Sequence, residues 1–177
     1  MNSIETKVIK TPIGELILGS FRDQLCLLDF LHRRMRSTVD RRLRNGLDAE
    51  FRSGGSDVVE SAVEQLNEYL NHERTTFAIP FLTVGTEFQK SVWRELLEVK
   101  FGETASYQEI ANRIGKPDAV RAVAAANGAN AMSILIPCHR IIGTSGELTG
   151  YGGGLAVKKR SLNMESRGLR VGYDDIA

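Results

Sequence analysis

Ser106-Tyr107-Gln108-Glu109-Ile110-Ala111-Asn112-Arg113-Ile114-Gly115-Lys116-Pro117-Asp118-Ala119-Val120-Arg121-Ala122-Val123-Ala124-Ala125-Ala126-Asn127-Gly128 reads as two short helices joined by a tight turn. Ser106 and Glu109 form a capping box, in which side chains satisfy N–H groups that the first helical turn leaves open. Tyr107, Ile110, Ala111 and Ile114 then share one face, and Gly115 supplies the stop. After Lys116-Pro117 a second helix is predicted from near Asp118 to Asn127-Gly128. Helix, glycine-containing turn and helix in this order fit a helix-turn-helix. The second helix can bury Val120 and Val123, which leaves Arg121, Ala124, Ala125 and Gly128 on another face. A helix that reads base edges carries Arg, Asn or Gln at several exposed positions. This one offers a smooth surface with a single long cation. Two readings stay open: close approach to a nucleic-acid groove without sequence preference, or an alanine-rich structural helix.

Downstream lies the chemistry. Met132-Ser133-Ile134-Leu135 reads as a buried strand, followed by Ile136-Pro137-Cys138-His139-Arg140. Pro137 has no N–H with which to continue a ladder. A thiol becomes a nucleophile as the thiolate, which a neighbouring base or cation promotes. The plainer alternative is a half-buried Cys beside a surface His. Adjacent strand residues point to opposite faces, so a bridging water is the expected link between Cys138 and His139. A last helix is predicted from near Leu155 to Gly168, with Leu155, Lys158, Leu162 and Glu165 along one stripe. A carboxylate on an inward stripe is costly without a partner, and His139 is the candidate. The resulting relay has Glu165 orienting the imidazole and stabilising its charged form. The alternative for Glu165 is an exposed helix-end residue.

Upstream, residues 5–31 read as a three-stranded antiparallel meander with turns at Thr11-Pro12-Ile13-Gly14 and Phe21-Arg22-Asp23. Cys26 lies in its third strand and reads as core. Residues 32–56 are polar and hold Arg33, Arg34, Arg36, Arg41, Arg42, Arg44 and Arg52, with acids interspersed. A solvated helix and loop is expected there rather than a nucleic-acid patch. Val59, Ala62, Val63, Leu66, Tyr69 and Leu70 recur at helical spacing from about Asp57, and residues 77–82 are extended. Thr86-Glu87-Phe88-Gln89 opens another helix, with Phe88, Val92, Trp93 and Leu96 facing inward. The domain boundary is placed near Thr83-Val84-Gly85, giving an N-terminal α/β domain over 1–82 and a second domain over 83–177.

The 177 residues are 42% hydrophobic and 25% charged, with a net charge of +1, which is globular composition without a strong basic field. DNA binding, if present, should involve few phosphate contacts. No apolar run approaches the roughly 20 residues that span a bilayer, so no membrane association is expected. The start lacks the pattern of a signal peptide. Two cysteines are too few for a disulfide framework, and a reducing cytoplasm is the expected location. No metal-ligand spacing stands out, and no cofactor is expected.

Taken in order, Gly85-Thr86-Glu87-Phe88-Gln89 with Val92-Trp93, Ser106-Tyr107, Ile114-Gly115-Lys116-Pro117, Arg121-Ala122-Val123, Asn130, the Ile136–Arg140 run and Gly150-Tyr151-Gly152-Gly153-Gly154 resemble the O6-alkylguanine-DNA alkyltransferases. The resemblance covers roughly residues 77–168. It implies a ribonuclease-H-like α/β domain, with the antiparallel sheet read above, and a helical C-terminal domain carrying the helix-turn-helix. It implies that Cys138 takes the alkyl group from guanine once and irreversibly. His139 would receive the thiol proton through water and Glu165 would hold His139. Tyr107 resembles the residue that helps rotate the nucleotide and protonates the leaving guanine at N3. Arg121 resembles the finger that enters the base stack, and Asn130 the residue that braces the turn behind the site. Ile141, Tyr151 and Gly152, with Ser133 and Trp93, would line the pocket. Tyr107, Ala119, Arg121, Ala122, Ala124, Ala125 and Arg140 would face DNA.

The implied partner is double-stranded DNA containing alkylated guanine, met through the minor groove by a monomer, in the cytoplasm and at the nucleoid of a bacterium. No zinc is expected, because Cys26 and His32 do not reproduce the N-terminal site of some members. Ser133 stands where some members have Pro beside the pocket. Alternatives are a lesion-binding relative that transfers nothing, which would lack the acceptor cysteine, and a Cys-His-Glu hydrolase, which would turn over repeatedly.

Overall fold

The computed structural model describes residues 2–168; residue 1 and residues 169–177, the tail of the second domain read from the sequence, lie outside the described residues. The chain forms two compact units, Met1–Thr86 and Glu87–Ala177.

In the first unit, strands β1 (Asn2–Thr11), β2 (Gly14–Phe21) and β3 (Gln24–Phe30) build the expected meander. Arg22 and Asp23 both take positive φ, 49° and 64°, the backbone of a two-residue hairpin matched to strand twist. Helix α1 (Arg36–Leu47) leads into a fourth strand, β4 (Ala49–Ser53), and helix α2 (Asp57–Leu70) follows. The sheet order is β3-β2-β1-β4, with β4 parallel to β1. The expected antiparallel meander is thus extended by a parallel edge strand, which makes the sheet mixed and replaces the loop assigned around residue 50. Ala49-Glu50-Phe51-Arg52-Ser53 buries only Ala49, so its strand signal is weak; pairing with β1 makes it a strand.

Leu16, Leu18, Leu25, Leu27 and Leu28 form the core with Val59, Ala62 and Leu66 of α2. Ser56 caps that helix by accepting the Val59 N–H at 3.2 Å. The extended segment predicted over 77–82 runs beside β3, bonded through Leu25 N to Pro80 O and Leu82 N to Leu25 O, both 2.9 Å. It covers an edge that would otherwise expose unpaired backbone. Cys26 is buried in β3 and burial pushes its thiol up to about 12. It is packing.

The second unit holds helix α3 (Glu87–Leu96), strand β5 (Ala105–Ser106), helices α4 (Tyr107–Arg113) and α5 (Val120–Gly128), a 3-10 turn (Cys138–Arg140), strand β6 (Ile141–Ile142) and helix α6 (Leu155–Gly168). Ser106 accepts the Glu109 N–H at 3.0 Å, and Gly115 follows α4 at φ +73°, a conformation that costs a residue with a Cβ. On α5, Val123, Ala126 and Asn127 are buried while Arg121, Ala122, Ala124, Ala125 and Gly128 are exposed; Val120 is half-buried.

Met132–Leu135 is not a strand. Ile136 N bonds Met132 O and Leu135 N bonds Ser133 O, both at 2.8 Å, while Ile134 sits at φ +73°. A β-branched residue there is strained by about 1–3 kcal/mol and persists only where its surroundings over-determine it. Ile and Leu suggested a strand, but here tight turns take up the backbone hydrogen bonds.

Candidate active site

Cys138 opens the 3-10 turn, buried, with its N–H on Ile136 O at 2.8 Å. Asn130 holds the segment in front of it. Its Nδ2 donates to Ile136 O at 2.8 Å and its Oδ1 accepts the Met132 N–H at 2.9 Å. Both ends of the strained turn are thereby fixed to one side chain.

Behind Cys138, His139 Nε2 lies 2.6 Å from Glu165 Oε1, and both groups are sequestered from solvent. Arg140 grips the same carboxylate through Nε to Oε2 and Nη2 to Oε1, each 2.9 Å, and donates from Nη1 to Val99 O at 2.7 Å. Burial works to raise the Glu165 pKa, but the His139 hydrogen bond and charge and the Arg140 pair outweigh it. The result is a fall from 4.5 to about 2. An ionised Glu165 accepts only, so in neutral His139 the proton sits on Nε2 and the lone pair on Nδ1. The base nitrogen is Nδ1. It is buried and has no hydrogen-bond partner among the described residues.

Arg140 is the main departure from the expected DNA face. It is 7% exposed and its donors are committed inward, so it serves the carboxylate rather than a phosphate. Trp93 is buried and donates from Nε1 to Ala126 O at 2.9 Å, locking α3 to α5. The predicted stripe of α6 also needs correction, because Leu155 is 50% exposed while Lys158, Ser161, Met164 and Glu165 are buried.

Lys158 was missed as a functional candidate, although its place on the Glu165 stripe was the available signal. Its Nζ donates to Ile141 O at 2.5 Å and Thr149 O at 2.8 Å, and stands 5.8 Å from the centre of the Tyr107 ring. Burial lowers its pKa to about 8, against an opposing pull from the Cys138 charge. Tyr107 begins α4 and donates to Thr149 O at 3.2 Å. Burial and, more weakly, the Cys138 charge raise its pKa against the Thr149 hydrogen bond, so the phenol stays protonated at neutral pH.

Lys158, Tyr107 and Cys138 therefore lie within electrostatic reach of one another. Ile141 and Ser133 are buried; Tyr151 and Gly152, in the loop before α6, are half-buried. Arg121, Ala122, Ala124 and Ala125 share the exposed face of α5, and Ala119 caps that helix without a side-chain bond. Among the described residues no three His, Cys, Asp or Glu side chains cluster as metal ligands, and no helix is long and apolar enough to cross a membrane.

Comparison with known proteins identifies relatives along nearly all of this architecture. Residues 4–83 match the family described as "6-O-methylguanine DNA methyltransferase, ribonuclease-like domain", and residues 87–167 match "6-O-methylguanine DNA methyltransferase, DNA binding domain". A methylated-DNA–protein-cysteine methyltransferase of Methanosarcina barkeri is 40% identical over 163 residues, 92% of this chain and 98% of the relative. One from Mycobacterium leprae is 44% identical over 165 residues, covering 92% of each. The crystal structure of Mycobacterium tuberculosis OGT in complex with DNA superposes with a TM-score of 0.78 at 40% identity, covering 94% of both chains.

Proposed function

This chain belongs to the 6-O-methylguanine DNA methyltransferase family, and we propose that Cys138 is the residue on which its activity ends. The protein is a methylated-DNA–protein-cysteine methyltransferase. It binds DNA and repairs it by direct reversal, moving an alkyl group from the damaged base to one of its own cysteines. The observation that carries the choice of Cys138 is the buried His139–Glu165 pair directly behind it, 2.6 Å apart, with the basic Nδ1 left over.

The reaction follows from these groups. Sγ–H of Cys138 gives its proton through a water to His139 Nδ1, making an imidazolium that Glu165 stabilises. The thiolate attacks the alkyl carbon, an S–C bond forms, the C–O6 bond breaks, and its electron pair stays on guanine. The Tyr107 hydroxyl, kept protonated by burial, supplies a proton to the leaving base. A base stacked in a duplex cannot present O6 to a buried sulfur, so it must be flipped, at a cost of a few kcal/mol.

The exposed small residues of α5, Ala122, Ala124 and Ala125, suit close approach to the minor groove. From among them Arg121 fills the stack. Ala119 and Tyr107 flank that face, and Ile141, Tyr151, Gly152 and Ser133 bound the guanine pocket. A thioether holds its alkyl group firmly, so the protein is consumed. Residues 83–177 form the acceptor and DNA-binding domain, and the chain works as a monomer in the cytoplasm, at the nucleoid if its source is bacterial.

The test mixes the protein with a duplex containing O6-methylguanine and locates methyl by peptide mass spectrometry. One methyl per chain, on Cys138, is expected. Methyl elsewhere, or more than one equivalent repaired per chain, overturns the assignment.

A further inference from the structure

We propose that Asn127 is a positioning residue for the proton relay between Cys138 and His139; the inference rests on the acceptor reading above. Asn127 lies in the last turn of α5, on the face opposite the exposed alanines, and is 3% exposed. Its Nδ2 donates to the Cys138 carbonyl at 3.4 Å, an oxygen that also accepts the Ile141 N–H. This contact fixes which way the amide faces, because the flipped amide would set two oxygens against each other.

Asn127 Oδ1 is then buried without a hydrogen-bond partner among the described residues, and His139 Nδ1 is in the same position. Buried polar atoms are almost always satisfied, by protein or by ordered water, so each of these acceptors calls for a donor. Asn127 touches the carbonyl of the Cys138–His139 peptide, and His139 follows it. A single water donating one hydrogen to Nδ1 and the other to Oδ1 satisfies both and turns its lone pair toward the thiol.

Asn127 thereby gives the relay its direction. As the thiol proton passes to the water, the hydrogen aimed at Nδ1 transfers to His139, and the hydrogen held by Oδ1 stays. The balance is one thiolate, one imidazolium and an unchanged water. Without Oδ1 the water can rotate, and the hydrogen facing Nδ1 is no longer fixed. The same residue belongs to the helix whose outer face meets DNA, so the nucleophile and the DNA surface are built on one rigid element.

The experiment compares wild type, Asn127→Leu and Asn127→Ala in single-turnover repair of an O6-methylguanine duplex. DNA affinity and the pH profile of Cys138 alkylation by iodoacetamide are read alongside. Leu fills the site without a polar atom, whereas Ala leaves room for a second water to replace Oδ1. The relay role requires Asn127→Leu to slow transfer by about 10- to 100-fold, as loss of a proton-transfer element does. It also requires the thiol profile to move to higher pH, DNA affinity to stay within about twofold, and Ala to be the faster variant.

A packing role reverses the order, with the cavity-forming Ala the slower. That order, or a Leu variant with wild-type rate and pH profile, overturns the proposal while leaving the acceptor reading intact. If Leu does not fold, Asn127→Met, which also fills the site without a hydrogen-bond acceptor of comparable strength, takes its place, and a wild-type rate and pH profile in that variant overturns the proposal equally. A wild-type protein that carries no methyl on Cys138 overturns the acceptor reading first, and this inference with it.

Discussion

Each unit of the molecule buries one carboxylate against two nitrogen-bearing side chains, to different ends. In the first, Asp29 accepts from Arg33 Nη1 at 2.9 Å and Arg36 Nη1 at 3.1 Å, along with the Phe30 N–H. In the second, Glu165 accepts from Arg140 and His139. Guanidinium groups never give up their protons in a protein, so Arg33 and Arg36 offer no base, and the Asp29 cluster acts as a brace between β3 and α1. Exchanging one guanidinium for an imidazole leaves a group that can gain a proton on demand, with a carboxylate already in place to stabilise it. Burial and ion pairing are shared; a titratable partner next to a thiol separates chemistry from structure.

The two thiols sharpen that contrast most. Cys26 and Cys138 are both buried, yet only Cys138 adjoins a base. Cys138→Ser is expected to abolish alkyl uptake altogether, whereas Cys26→Ser keeps uptake at one equivalent per folded chain and lowers stability by about 1–3 kcal/mol through a buried hydroxyl. Uptake lost on Cys26→Ser at unchanged folding would break the comparison.

Next come the carboxylates. Asp29→Asn and Glu165→Gln should each cost about 3–5 kcal/mol in denaturant unfolding, because each leaves at least one guanidinium buried without its counter-charge. Only Glu165→Gln should also slow transfer per folded molecule, by roughly 100-fold or more, since it removes the orienting partner of the base. Equal rates for the two variants would reduce Glu165 to a second brace.

The acid limb follows from the depressed Glu165 pKa. A carboxyl at about 2 when folded and near 4.5 when unfolded contributes stability that is full above pH 4.5 and lost as pH falls toward 2. About 3 kcal/mol should disappear across that window in wild type and not in Glu165→Gln. The smallest effect concerns Lys158. Its ammonium favours the neighbouring thiolate and loses its proton near pH 8, so the transfer rate should turn down by a factor of a few as pH rises through 8. Lys158→Met should be slower at pH 7 and lack that downturn.

The residues legible in advance were those whose meaning is local. Ser106 and Gly115 start and stop a helix through their own backbone and side-chain atoms, and Cys138 and His139 are chain neighbours. Glu165 was reachable because helical spacing put it on an inward stripe. The same stripe held Lys158, but spacing says nothing of which carbonyl or ring a lysine will meet. Arg140 looked like a DNA contact because arginines usually are solvated; its commitment to Glu165 and Val99 O depends on groups 25 and 41 residues away. β4 was hidden for a related reason, since a polar five-residue strand exists through its partner rather than its own pattern.

The sequence alone therefore determined the two kinds of element, the helix-turn-helix with its smooth second helix, and a thiol beside an imidazole. Capping, turn conformation and hydrophobic period act over a few residues and leave a readable trace. Tertiary structure alone decided the mixed sheet, the turn that replaces a strand before Cys138, the inward Arg140 and the tautomer that leaves Nδ1 as the base. Each of these is fixed by hydrogen bonds between distant parts of the chain, whose partners are chosen by packing.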